Sequence, residues 1–224
     1  KYEGYSSFSY LEAGKDYKSF DLADELTRVP PYTLPLSEED ETRVRSLIDA
    51  SLLVSMNEHV GVFPDKIQET PEYARHGRMH TAFKGLAASH WDCVFDNLMD
   101  GICHIHSSSG WQWDDVLHDL GMRLCDLAHQ DFVLHCQRIG DVQRAHDEGK
   151  VAWVATMEGA AMIEHDLDRI DLLHGFGLRS LGINITVGHS AESLNDAQVV
   201  VISSAVKADN VEAAAARQHF IPIV

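Results

Sequence analysis

The sequence predicts an α/β protein built on a parallel sheet, and three observations carry that reading. Short apolar runs of strand length alternate with longer segments whose apolar residues recur at helical spacing. The run Val151–Met157 is apolar on both faces, as strands inside parallel sheets are. Gly149 and Gly175 stand where the neighbouring helices would stop. A closed barrel and an open, doubly wound sheet both satisfy this alternation, and both place chemistry at the carboxyl ends of the strands.

The elements follow in order. Residues 1–36 carry scattered aromatics (Tyr2, Tyr5, Phe8, Tyr10, Tyr17, Phe20) and then Pro30, Pro31 and Pro35, which predicts an extended N-terminal arm lying on the body. Ser37 and Asp40 have the spacing of a helix cap, and Val44, Leu47 and Ile48 make one apolar helix face. That helix feeds a strand over residues 52–56. A second apolar run, residues 93–95, ends at Asp96 and Asn97. A helix follows from Asp114, with Leu117, Leu120, Leu124 and Leu127 on one side, and then a strand over residues 132–136. Asp141 reads as the cap of a short helix closed by Gly149, ahead of the strand Val151–Met157. Leu167, Ile170 and Leu173 mark a helix stopped by Gly175. The pattern repeats with a strand at 199–203, a helix at 211–218 and a strand at 220–224.

Composition narrows the function. In 224 residues, 18 Lys and Arg stand against 35 Asp and Glu, a formal charge of −17. Such a balance repels phosphate backbones and anionic lipid, so neither nucleic acid nor a membrane surface is an expected partner. No apolar run approaches the roughly 18–20 residues that span a bilayer, and the first residues show no signal-peptide pattern. The four cysteines (Cys93, Cys103, Cys125, Cys136) form no CxxC pair and lie in apolar or helical text. They read as free thiols, which fits a cytoplasmic protein. Glycine-rich phosphate loops are absent, since the run Ser107 to Gly110 matches neither a P-loop nor a dinucleotide fingerprint.

Two strand ends present candidate ligands: Asn57, Glu58 and His59 after the first strand, and Glu158 with Gly159 after Val151–Met157. Residues i and i+2 at a strand terminus point the same way, so Asn57 and His59 can face one ion, while a glutamate from another strand can bridge two ions. The plain alternative is a solvated strand end, with Glu158 capping the next helix. His104 and His106 flank Ile105 at the spacing of a two-histidine site, but no third ligand is identifiable by spacing and a surface or supporting role fits better. The remaining histidines scatter over helices and loops and read as structural. Trp111 and Trp113, entering a helix, read as packed rather than ligand-stacking.

Three strings carry a resemblance: Phe95-Asp96-Asn97-Leu98-Met99-Asp100-Gly101; Trp113-Asp114-Asp115 through Asp131-Phe132; and Asp166-Leu167-Asp168-Arg169-Ile170-Asp171. From about residue 2 to 182 the chain resembles a bacterial branch of the membrane (renal) dipeptidase family. The resemblance implies a (β/α)8 barrel, here partial, with a two-zinc site that hydrolyses dipeptides. It implies that a histidine pair after the first strand and a bridging glutamate hold the metals, with two later histidines completing the site. Glu158 falls on the bridging position and His59 on the second member of the pair. The first member is Asn57, a poorer zinc ligand than imidazole. The zinc site expected is therefore weak or limited to a single ion.

After about residue 178 the text changes. Leu181-Gly182-Ile183 through Val187-Gly188-His189, then Val199 through Val206, then Ile221-Pro222-Ile223-Val224, resemble the first, Rossmann-like domain of UDP-N-acetylmuramate:L-alanine ligase. The ligase's nucleotide loops have no counterpart, so neither nucleotide activity is implied, and His189 reads as structural. The expected organisation is an arm (1–36), a partial dipeptidase-like barrel (37–182) and a ligase-like βαβ tail (183–224). Asn57, His59, Asp96 and Glu158 are expected on one rim, and the tail strands in the same parallel sheet. Three functions follow: an impaired zinc dipeptidase acting on a small dipeptide, a non-catalytic hybrid scaffold, or a fragment of a muramate-alanine ligase domain. A homodimer covering an open sheet edge is a further expectation.

Overall fold

The computed structural model describes residues 2–98, 112–164, 166–181, 190–194, 200, 207, 209–221 and 223. The chain divides into two compact units, Lys1–Gly182 and Ile183–Val224.

The first unit begins with the arm, whose aromatic residues pack rather than dangle. Phe8 is buried, Tyr5 meets Phe83 edge-on at 5.2 Å, and Tyr2 lies 5.4 Å from Phe132. The Tyr5 hydroxyl (2.8 Å) and the Phe8 amide (2.9 Å) both donate to Oδ1 of the buried Asp126. Further on, α1 (Glu38–Asp49) is capped by Ser37, whose Oγ accepts from the Asp40 amide, and four acids in its first turn complement the helix dipole. Its apolar face exists as expected but buries nothing, for Val44 and Leu47 are exposed.

The strands of the main sheet are β1 (Val54–Glu58), β4 (Cys93–Leu98), β5 (Val133–His135), β6 (Val151–Met157) and β7 (Leu178–Leu181). Between β1 and β4 lie β2 (Gly61–Val62) and β3 (His80–Thr81), which form a small antiparallel pair, with α2 (Thr70–His76) between them and α3 (Phe83–Ser89) after them. The helices α4 (Trp113–Leu127), α5 (Ile139–Asp147) and α6 (Asp168–Gly175) precede β5, β6 and β7. Asp141 does cap α5, but from its third position, accepting from the Gln137 and Arg138 amides.

Every pairing in the main sheet is parallel, in the order β1-β4-β6, with β5 and β7 both on the far side of β6. β5 pairs with Val151 to Trp153, and β7 with Ala155 to Met157. A barrel would wind its strands in chain order, whereas here β5 precedes β6 in the chain and lies outside it. Among the described residues the strands form an open parallel sheet flanked by helices, the α/β alternation expected, with no closed barrel. The central strands are the longest and most buried. All seven residues of β6 are buried, and it pairs with β4 over six consecutive positions, while β5 has only three residues to offer. Helices cover both faces. Val94, Leu98, Trp153 and Met157 pack with Val116 and Leu120 of α4, and Cys93, Ala152 and Val154 pack with Ala145 of α5.

The second unit contains α7 (Val211–Gln218), capped by the Asn210 side chain, with Ala213, Ala215 and Ala216 buried. Val200 and Ile223 form a parallel bridge within it. The expected strands at 199–203 and 220–224 otherwise fall largely outside the described residues.

Asp92 fastens the amino ends of the main sheet. Its Oδ2 accepts from the Leu53 amide at 2.7 Å, and its Oδ1 holds His146 Nδ1 of α5 at 2.8 Å. The hydrogen bond and charge of Asp92 raise the His146 pKa above the ordinary 6.5. A raised folded-state pKa stabilises fully below the unfolded value and stops doing so as pH rises through the folded one. Urea unfolding at pH 6 and pH 9 should therefore show wild type more stable than His146→Gln at the lower pH, with the difference shrinking at the higher. A second expectation concerns Gly177, at φ +104°, where a Cβ would run into the His135 imidazole. Gly177→Ala should cost about 1–3 kcal/mol, read as a lowered melting temperature.

Candidate functional site

Because β1, β4 and β6 are parallel neighbours, their carboxyl ends share one rim. Asn57 is the fourth residue of β1, one later than the sequence pattern placed the strand's end, and His59 is the first residue after the strand. Glu158 follows β6. All three are exposed at the rim. Two strand spacings separate β1 from β6, about 10 Å between backbones.

His59 is held in one orientation. Its Nδ1 lies 3.1 Å from the Asn97 carbonyl oxygen, which can only accept, so Nδ1 carries a proton and, in the neutral ring, Nε2 is the nitrogen with the lone pair. This is the arrangement that prepares an imidazole to ligate an ion. The Asn57 amide oxygen accepts from Asn97 Nδ2 at 3.3 Å. Glu158 does not cap the following 3-10 turn, Ala161–Ile163, whose N-cap is Ala160 with no side-chain bond. A cavity of about 190 Å³ opens beside His59 and Glu58, walled by Val60, Leu86, Trp91 and Val94.

Asp96 was expected on the rim with these residues, and the structure puts it elsewhere. It is fully buried in β4. Its Oδ2 accepts from Trp153 Nε1 (2.7 Å) and Arg123 Nη1 (3.0 Å), and its Oδ1 from the Val60 amide (3.1 Å). Thr156 Oγ donates to its carbonyl at 3.1 Å. Asp96 and Asn97 do not end the strand, because these bonds let two polar residues continue it. Trp113 carries Arg169 over its ring at 4.9 Å and donates its amide to Glu164, so it is packed as expected. His104, His106, Trp111, Cys103 and His189 lie outside the described residues. Asn97 is the residue that the sequence pattern missed, and its only signal there was an amide beside an acid inside an apolar run.

Elsewhere, burial holds His80 and His135 below the ordinary imidazole pKa and pushes the Cys93 thiol up to about 12. Cys93 opens β4 at its amino end and His80 lies in the β2–β3 pair, whereas His135 is the last residue of β5. Among the described residues no three His, Cys, Asp or Glu side chains gather as a metal group. Among the described residues, the expected donors at the rim are one imidazole (His59), one carboxylate (Glu158) and one amide oxygen (Asn57), too few for two ions.

Residues 47–204, more than half of the chain, match the family model described as membrane dipeptidase, peptidase family M19. The chain belongs to the membrane dipeptidase family. It also resembles UDP-N-acetylmuramate–L-alanine ligases over 75 residues: 45% identical to that of Rhizobium meliloti (strain 1021), 48% to that of Paramagnetospirillum magneticum and 49% to that of Rhodospirillum rubrum. Each match covers 30% of this chain and 16% of the ligase, so the chain spans about a sixth of those relatives. Among solved structures, an amidohydrolase from Pseudomonas aeruginosa aligns at TM-score 0.43 and 10% identity, over 63% of this chain and 37% of that one. The dipeptidase AC of family M19 aligns at TM-score 0.41 and 20% identity, over 58% and 42%. Those two likenesses are too loose to add to the architecture described above.

The dipeptidase-family segment rests on the Asp96 network, and the size of that dependence can be measured. Arg123→Met removes the buried cation that faces the Asp96 carboxylate, and breaking such a pair costs about 3–5 kcal/mol. Urea unfolding should show a loss of that order.

Proposed function

We propose that this chain is a metal-dependent dipeptidase-type hydrolase whose site is impaired, holding one zinc ion weakly and turning over dipeptides slowly or not at all. The observation that supports it best is the orientation of His59, with Nδ1 tied to the Asn97 carbonyl and Nε2 left to ligate, on the same rim as Glu158. In this reading His59 and Glu158 hold the ion and the Asn57 amide oxygen is a weak third ligand. When bound, the ion would supply Lewis-acid polarisation of the peptide carbonyl and activation of water. Glu158 would contribute the negative charge that balances the ion. The substrate class is a small dipeptide. A cytoplasmic setting and a homodimer belong to the same proposal, the former supported by the free thiols of Cys93, Cys125 and Cys136. No described helix is long and apolar enough to cross a membrane.

A second reading is favoured by the likeness to the alanine ligases: a non-catalytic scaffold in which part of a dipeptidase fold is joined to a fragment of a ligase domain. Metal binding separates the two. Under the first reading, Asn57→His should raise zinc affinity roughly tenfold or more in calorimetric titration, because an imidazole returns to the strand end. In an inert scaffold the same change would leave zinc binding as it was. Robust hydrolysis of simple dipeptides, abolished by chelation and by Glu158→Gln, would instead mean that the site is complete and the impairment proposed here is wrong.

A further inference from the structure

Asn97 occupies a singular position. It is 3% exposed within β4, between the buried Asp96 and the buried Leu98. Its carbonyl oxygen receives His59 Nδ1, and its side-chain Nδ2 donates to Asn57 Oδ1. One residue therefore touches both members of the pair that follows the first strand. Its own Oδ1 is buried and, among the described residues, has no hydrogen-bond partner. Thr156, its register partner on β6, carries a hydroxyl, and that hydroxyl donates to the Asp96 carbonyl. Exchanging the oxygen and nitrogen of the amide does not repair this, because an oxygen would then face Asn57 and a donor would be stranded in its place. A buried amide atom left unpaired costs roughly 1–3 kcal/mol, which an apolar side chain of similar shape would avoid.

A buried polar atom with no protein partner in a core strand calls for an explanation, and the two bonds to the residues after β1 supply one. We propose that Asn97 is a positioning residue of the rim site: its main chain sets the tautomer of His59, and its side chain tethers Asn57 so that both present their donors to one ion. The inference rests on the ion-site reading given above and adds to it a residue that is not a ligand. The competing structural role predicts the opposite balance, since a core asparagine kept for folding would lower stability when replaced.

The test compares wild type with Asn97→Leu, Asn57→Ala and the double variant, titrated with zinc by calorimetry and melted without metal. Asn97→Leu should weaken zinc binding roughly tenfold or more while leaving the melting temperature unchanged or higher. The double variant should bind no more weakly than Asn57→Ala alone, because a tether acts only through what it holds. Unchanged zinc affinity in Asn97→Leu, additive losses in the double variant, or a lowered melting temperature in Asn97→Leu would each overturn the proposal. Metal-free NMR keeps it distinct from the ion-site reading. Asn97 side-chain amide protons should exchange slowly in wild type and faster in Asn57→Ala. If wild type takes up no zinc yet shows that protection, the tether stands and the ion-site reading falls. Rapid exchange in wild type overturns the tether itself.

Discussion

The buried carboxylate of Asp96 is the constraint on which the first unit depends. An ionised group removed from water costs several kcal/mol unless its lone pairs are met, and three donors from three parts of the chain meet them here. Arg123 comes from α4, the Trp153 indole from β6, and the Val60 amide from the segment leaving β1. Shifting any one of these elements would strand the charge, so the carboxylate specifies how they sit far more sharply than apolar packing alone would. It also explains how two polar residues lie inside a strand whose neighbours are buried.

Aspartates recur as fasteners, which gives the strongly acidic composition an internal use. Asp92 joins the entrances of β1 and β4 to α5 through the Leu53 amide and His146. Asp126 holds the arm through Tyr5 and Phe8, and burial together with that bond raises the Tyr5 hydroxyl pKa well above its ordinary value. Where these fasteners are absent, elements lie loosely on the surface: α1 has four acids in its first turn and a good cap, yet buries no residue. Capping and dipole terms of about 1 kcal/mol can form a helix locally, but docking it requires apolar burial.

How much was legible in the sequence follows the range of the forces involved. Long periodic elements were readable: Val151–Met157 is the strand the pattern delimits, and α4, α6 and α7 lie where the pattern puts helices. Two-residue strands such as β2 and β3 carry no period to read, and α2 and α3, at seven residues each, offer barely two turns. The strand order was not legible at all, because β5 and β7 sharing one side of β6 is a matter of relative length and burial. At the candidate site, position along a strand and family resemblance pointed to Asn57, His59 and Glu158. The role of Asn97 was hidden, since both of its bonds cross between strands some 40 residues apart in sequence.

Site and scaffold are joined one residue apart. His59 precedes Val60, whose amide is held by Asp96, and Asn97 follows Asp96 directly. The β1 side of the rim is thus built onto the most constrained point of the core, where a small displacement would break a bond to a buried charge. Glu158 stands differently, one residue past the end of β6 and exposed, with no comparable anchor among the described residues. Under the ion-site proposal, an asparagine at position 57 therefore weighs more than one bond, because it falls on the side of the rim joined to the Asp96 network, where preorganisation would be greatest.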